Sequence, residues 1–386
     1  MSTMRRLLLG ATGLAGAALG SGAAGAAEVR SGSALDLTLS GEVRFITSYG
    51  DTDDALLDDA VTSGLDFFGD TSVGVLLAGT HDTTDIEYGA YIEFETDTND
   101  TENTGETWLY LRGDWGEVRF GDDGGVSSFG AGIVAEDEGA ALGAANVAAG
   151  TGGLDADIAS DFGAPTYEPL GTDDATKISY VTPKFGGLNF GVSYTPNLAE
   201  IYDGVGNGDT LADTDVAAGD VIEGIAHYSG EIGELEVLTS ISGLYGDIKD
   251  EDAAGGNDYW AAQAGVVLYL FDVGLAGSYL VEQVGSLEVE AVTVGIGTSL
   301  GGDDEGVGGL SLSLNYGQII SSDDLTVNDS QLDEPYTLVA SADYGIAPGL
   351  VLQGDIAYFD SDVKGDPANA DDDKGWFAVT ALALEF

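Results

Sequence analysis

The sequence predicts an all-β chain closed into a transmembrane antiparallel β-barrel of about sixteen strands. Three observations carry that reading. Apolar and polar residues alternate with period two in segment after segment from Leu35 to Phe386. Tight turns and long acidic connections alternate along the chain. Beyond the first 27 residues no stretch approaches the ~18 consecutive apolar residues of a membrane-spanning helix, so insertion into a bilayer has to use strands.

The N-terminus comes first in order. Arg5 and Arg6 precede an uncharged run rich in Leu, Ala and Gly that ends in Ala24-Gly25-Ala26-Ala27. A basic start, an apolar middle and a small-residue end predict a secretory signal peptide over residues 1–27, cleaved after Ala26 or Ala27. The mature part is then 28–386.

Asp and Glu number 68 against 11 Lys and Arg, a net charge of −57. Loss of Arg5 and Arg6 with the leader leaves 9 basic residues against the same 68 acidic ones, or −59. Nucleic acid is excluded as a partner, because phosphate recognition needs a positive field. Excess acid can signal disorder, but 17 Tyr, 13 Phe and 4 Trp in alternating segments argue for a folded sheet. With no cysteine, disulfides and thiol chemistry are excluded.

The first strand is the clearest. From Leu35 to Tyr49 the odd positions are almost all apolar and the even ones almost all polar. Successive strand side chains point to opposite faces, so one face is greasy and the other wet. Some 15 residues exceed the five or six of an ordinary strand and suit one that crosses a bilayer. Ile86–Glu95 repeats the rhythm, with Ile86, Tyr88, Ala90, Ile92 and Phe94 on the greasy face and Glu87, Glu93 and Glu95 lining the wet one. Further alternating segments begin at Leu235, Val273, Leu310, Tyr336 and Leu350.

Tight turns are expected at His81–Asp85, Gly116-Glu117, Pro183–Gly187, Gly230–Glu234, Leu270–Asp272 and Gly345–Gly349. Long acidic loops lie between them, the longest being Asp122–Ala175. A barrel with short periplasmic turns and long external loops has this rhythm. Glu282–Ser286 is short for its place in it, and Gly301–Gly309 is long. The last strand, Gly375–Phe386, sets Trp376, Leu382, Leu384 and Phe386 on one face and stops at an aromatic residue suited to closing the barrel during membrane assembly. The Trp residues and strand-end Tyr residues are expected at the membrane interfaces, with Trp115 and Trp376 the best candidates.

Three stretches carry a family resemblance. Lys177-Ile178-Ser179-Tyr180-Val181-Thr182-Pro183-Lys184-Phe185-Gly186-Gly187-Leu188-Asn189-Phe190-Gly191-Val192-Ser193-Tyr194-Thr195-Pro196 resembles the hairpin after the constriction loop of Gram-negative general porins. Leu37–Arg44 resembles their first strand, and Leu109–Gly121 their fourth and fifth. With Phe386 the likeness covers the mature chain, and its flavour is alphaproteobacterial. Two departures stand out: acidity far beyond the usual member, and an unusually long Gly/Ala-rich loop after the fifth strand.

The resemblance implies an outer-membrane homotrimer of sixteen-stranded barrels, surrounded by lipid and lipopolysaccharide. It also implies a third external loop, here 122–175, folded into the pore as a constriction, with loop acids facing wall bases. Alternation puts Arg44, Arg112, Arg119 and Lys177 on the wet face, four of the nine bases left after cleavage. The acids expected to face them are Asp122, Asp123, Glu136, Asp137, Glu138, Asp155, Asp157 and Asp161.

The function expected is passive diffusion of small hydrophilic solutes and ions, with cations preferred because of the charge. The alternatives are an acidic structural or adhesive surface β protein, which predicts a short repeat that the sequence lacks, and a substrate-specific outer-membrane channel. No enzyme is expected: H-E-x-x-H, the Walker phosphate loop and G-x-S-x-G are all missing. His81 falls in a turn, and His227 lies in a strand whose neighbours leave its facing open. No cofactor is expected either. Asp250-Glu251-Asp252, Asp303-Asp304-Glu305 and Asp371-Asp372-Asp373 supply hard oxygens for loop-bound Ca2+, though not at a recognised calcium-loop spacing.

Overall fold

A computed structural model of the chain describes residues 27–30, 35–52, 63–95, 105–126, 172, 175–198, 218–248, 258–285, 287–302, 306–322, 326–327, 330–363 and 373–386. Its strands are β1 (Ala27–Arg30), β2 (Asp36–Thr52), β3 (Ser63–Thr80), β4 (Glu87–Glu95), β5 (Thr107–Gly113) and β6 (Gly116–Asp122). They continue with β7 (Thr176–Val181), β8 (Leu188–Leu198), β9 (Ala218–Ile232), β10 (Leu235–Ile248), β11 (Asp258–Leu270) and β12 (Val273–Val284). The last are β13 (Leu287–Gly301), β14 (Gly309–Ser322), β15 (Thr326–Val327), β16 (Ser330–Ala347), β17 (Leu350–Val363) and β18 (Asp373–Glu385).

From β2 onward each long strand pairs antiparallel with the next, and β18 returns to β2 from Gly375↔Thr52 to Glu385↔Glu42. Sixteen strands therefore close the wall. β1 lies beside β2 next to the end of β18, and β15 pairs with two residues of β16. Closure satisfies every strand edge inside the wall, which is what lets a sheet sit in hydrocarbon.

Alternation decides the two faces. Along β2, Val43, Phe45 and Tyr49 are exposed on the outside, while Glu42, Ile46 and Ser48 are buried on the inside. The same split places Leu65, Phe67, Leu109, Ile178, Ile241, Leu275, Leu314 and Ile356 in one continuous exposed apolar band. That band is what a bilayer would cover.

The inner face is less uniformly wet than the sequence predicts. Ile46, Val339, Ala357, Phe359, Phe377, Val379 and Ala381 form a buried apolar cluster on the inside of β2 and β16–β18, with Phe68 packed against it. Trp108 also points inward, into a cluster with Leu76, Tyr91 and Tyr110. It is therefore not part of an interfacial belt, whereas Trp115 and Trp376 are exposed at opposite ends of the barrel.

The turns refine the expected rhythm. The β5–β6 turn is Asp114-Trp115, with Gly116 already opening β6 at φ 116°, not Gly116-Glu117. The β12–β13 connection at 285–286 is short although it lies on the long-loop side. The β13–β14 connection at 302–308 is longer although it lies on the tight-turn side. Antiparallel order sets which side a connection takes; its length does not.

The closing seam rests on one glycine. The Gly41 N–H donates to the Phe386 carbonyl at 2.9 Å, and the Phe386 N–H donates back to Gly41 at 3.0 Å. The Phe386 ring covers Gly41 so closely that a Cβ there would lie 2.7 Å from the ring and 2.7 Å from the Ser72 carbonyl. Gly41→Val should therefore cost about 1–3 kcal/mol of overpacking and lower the temperature at which the folded barrel opens, measured by the shift between folded and unfolded bands on electrophoresis after heating.

Candidate functional site

The inner wall of β4–β7 carries a ladder of charges that alternate in sign. Glu87 of β4 faces Arg112 of β5 in register, and Arg112 faces Glu117 of β6. Arg112 donates from Nη1 to Glu87 at 3.2 Å and from Nε to Glu117 at 2.5 Å. Arg119, two residues along β6 from Glu117, donates to its other oxygen at 2.7 Å. The same guanidinium lies 3.8 Å from Asp123, whose carboxylate is also 3.8 Å from Lys177 Nζ. Lys177 Nζ further donates to the Asp123 carbonyl oxygen. The ladder thus climbs from the β5–β6 turn to the root of the long loop.

An aromatic layer backs these charges. The Arg119 guanidinium carbon sits 4.1 Å from the Trp108 ring centroid, and that of Arg112 sits 5.4 Å from Tyr110. Tyr91 stacks on Trp108 at 5.1 Å, and the Tyr110 hydroxyl donates to Glu87 at 2.9 Å. A guanidinium over an aromatic face keeps a favourable partner where water is scarce, which Lys would do less well. Arg44 stands apart on β2, 3.2 Å from Glu42 and paired with Asp70 of β3.

The long loop starts inside the barrel. The Gly124 N–H donates to Glu106 at 3.2 Å, and the Gly125 N–H donates to Asp123 at 2.9 Å. Val126 is fully buried against Val181 and Ile225 on the inside of β7 and β9. Glu223 of β9 accepts the Thr172 hydroxyl at 3.1 Å and the Ser193 hydroxyl at 2.9 Å. Both ends of the stretch from Asp123 to Ala175 are thereby tied to one inner sector. Gly125 is required there: its φ is 79°, and a Cβ would lie 2.5 Å from the Glu223 carboxylate. Burial raises the Glu106 carboxyl above the usual carboxylate range, opposed by hydrogen bonds from Trp108 and Gly124.

Arg44, Arg112, Arg119 and Lys177 all lie on the inner face, as do Glu87, Glu93, Glu95 and Asp123. Asp122 does not. It shares the outer face with Phe120 and takes the Thr176 hydroxyl, so it belongs to the outer wall and not to the pore. Alternation from Phe120 already implies this. The remaining loop acids, Glu136, Asp137, Glu138, Asp155, Asp157 and Asp161, lie outside the described residues, as do the three acidic runs considered for Ca2+, apart from Asp373 at the start of β18, and the leader up to Ala26. Sequence reasoning missed Glu223 and Trp108. Glu223 was legible, being the one charged residue among Val221, Ile222, Gly224, Ile225 and Ala226.

Residues 11–364 match the sequence profile of the Gram-negative porins. The chain belongs to the Gram-negative porin family. Porins are outer-membrane channels, and the closed barrel with its apolar outside is the form such a channel takes. Among solved structures this porin is similar to an anion-selective porin from Comamonas acidovorans, with 18% identity and a TM-score of 0.58 over 91% of this chain and 100% of that one. It is also similar to the outer-membrane channel DcaP of Acinetobacter baumannii, with 14% identity and a TM-score of 0.60 over 93% and 100% of the two chains. OprB of Pseudomonas putida is similar at 12% identity and a TM-score of 0.58, over 91% and 94%. At such identities the likeness is one of fold. No curated protein sequence matches the chain.

Proposed function

We propose that this porin passes small hydrophilic solutes and ions by passive diffusion and prefers cations. The observation that carries the sign is the neutralised ladder. Arg44, Arg112, Arg119 and Lys177 each have a carboxylate of the wall or of the loop root within 4 Å, so none of these four wall bases is left to attract anions strongly. Other inner-face acids, including Glu93 and Glu95, then tip the lumen negative. Field lines focus in a low-dielectric wall, so a small local excess of charge biases ion entry. A barrel like that of an anion-selective porin leaves the sign to these side chains.

The rest of the reading follows the family resemblance. The porin is exported after removal of residues 1–27, assembles as a homotrimer in the outer membrane, and narrows its pore with 122–175. The loop root against Val181, Ile225 and Glu223 supports a stretch that continues inward. No catalytic role and no cofactor enter this reading.

Purified protein in a planar bilayer under a salt gradient should show conductance steps that close in thirds and a reversal potential of the cation-permeable sign. A reversal potential of the anion-permeable sign would overturn the electrostatic reading. Folded protein that conducts nothing would overturn diffusion itself.

A further inference from the structure

Two neighbouring rungs of the inner wall bring oxygen ligands together without a base. On one, Ser311 of β14, Asp343 of β16, Gln353 of β17 and Ala381 of β18 stand in register. On the other, Ser313, Ser341, Asp355 and Val379 do the same. All share the inner face, because their strand neighbours Leu312, Tyr344, Leu352, Ile356 and Leu382 are exposed on the outside. Asp343 and Asp355 are therefore diagonal neighbours across one strand pair, with Gln353 and Ser341 at the other two corners. Among the described residues no Lys or Arg lies on the inner face of β14, β16, β17 or β18. Arg44 of β2 is held by Glu42 and Asp70.

Gln353 is 6% exposed and Asp355 5%, yet the Gln353 Oε1 and the Asp355 Oδ1 have no hydrogen-bond partner. Buried polar atoms are normally satisfied, and each exception needs a cause. Val339, Ala357, Val379 and Ala381 border these oxygens with buried apolar surface, which raises the cost of leaving them bare and strengthens their pull on positive charge. We infer that Ser341, Asp343, Gln353 and Asp355 form a binding site for a divalent cation, Ca2+ in preference to Mg2+. The two carboxylates neutralise the ion, and the amide and hydroxyl oxygens add neutral ligands, with water completing the shell. Side chains fixed by a pleated wall give an irregular shell, which Ca2+ tolerates and Mg2+, with its octahedral demand, does not. The bound ion ties β16 to β17 on the lumen side, away from the charge ladder of β4–β7.

The test is calorimetric titration of CaCl2 into full-length protein refolded in detergent, in high NaCl to screen diffuse binding by surface carboxylates. It reads binding directly and so does not depend on the ion preference of the pore. One saturable site per chain is expected, with a Kd on the order of 10−4 M for Ca2+ and about tenfold weaker for MgCl2. Asp343→Asn and Asp355→Asn should each weaken Ca2+ binding about tenfold or abolish it, whereas Asp220→Asn on the outer face should leave it unchanged. Gln353→Glu supplies a third carboxylate and should tighten binding about tenfold, which keeps the site testable if the Asn variants fail to fold. Absence of a saturable site in the wild type would overturn the proposal. So would a site whose affinity none of these inner-wall variants changes, since the ion would then belong to the acidic loops. Equal affinity for MgCl2 would overturn it too, leaving a counter-ion drawn by charge alone.

Discussion

Arg119→Ala should destabilise the barrel by about 3–5 kcal/mol, because it leaves two buried carboxylates without their shared partner. Arg119 and Asp123 are almost fully buried, and Glu117 is nearly so. Removal of the guanidinium also deletes the cation over Trp108. Arg112 still neutralises Glu117, and Lys177 still faces Asp123, so the ladder should thin without vanishing. Two measurements check this. The temperature at which folded protein unfolds in detergent should fall by several degrees, and the reversal potential should move further toward cation permeation. Arg119→Lys should recover the charge but only part of the stability, since an ammonium cannot lie flat on the indole and bond Glu117 along the same edge. Equal stability of Arg119→Ala and wild type would show that the ladder is incidental to the wall.

The second large effect is expected at the loop root. Val126→Asp places a carboxylate between Val181 and Ile225, within a sector that already holds Glu223. Burying an unpaired polar group there costs about 3 kcal/mol or more, and moving the root away from the wall costs less. The loop should therefore leave its seat while the closed sixteen-stranded wall survives. Single-channel conductance should rise and become noisier, with the far-UV strand signal unchanged. Val126→Ala, which leaves only a small cavity, should keep the wild-type conductance at a stability cost of about 1–3 kcal/mol. Conductance unchanged in Val126→Asp would remove 122–175 from the constriction and leave the wall ladder alone at the narrowest point.

These two sites differ in how far they could be read without coordinates. Arg119 was placed on the wet face by Val118 and Phe120 alone, because strand side chains alternate without exception over a regular ladder. The same rule, carried two residues further, turns Asp122 outward. Its place at the head of the long acidic stretch groups it with the loop acids in the sequence, whereas the strand runs through it. Val126 carried no signal: a lone valine in a run of Gly, Ser and Phe has no period, and only its contacts with β7 and β9 give it a role.

What the sequence determined by itself was the architecture. Strand length, alternation, turn rhythm and the terminal aromatic are local properties, and together they admit a closed sixteen-stranded wall with an apolar outside. Which charges meet was decided only by the tertiary structure. Alternation says that Arg112 and Glu117 face inward, but the cross-strand register brings them into contact and adds Glu87 from a third strand. Among the described residues the wall bases consequently find their partners within the wall and at the loop root. The apolar cluster inside β2 and β16–β18 was hidden for a related reason. Each of its strands contributes one to three inward apolar residues, too few to mark a strand as greasy on both faces, and closure gathers them into one patch.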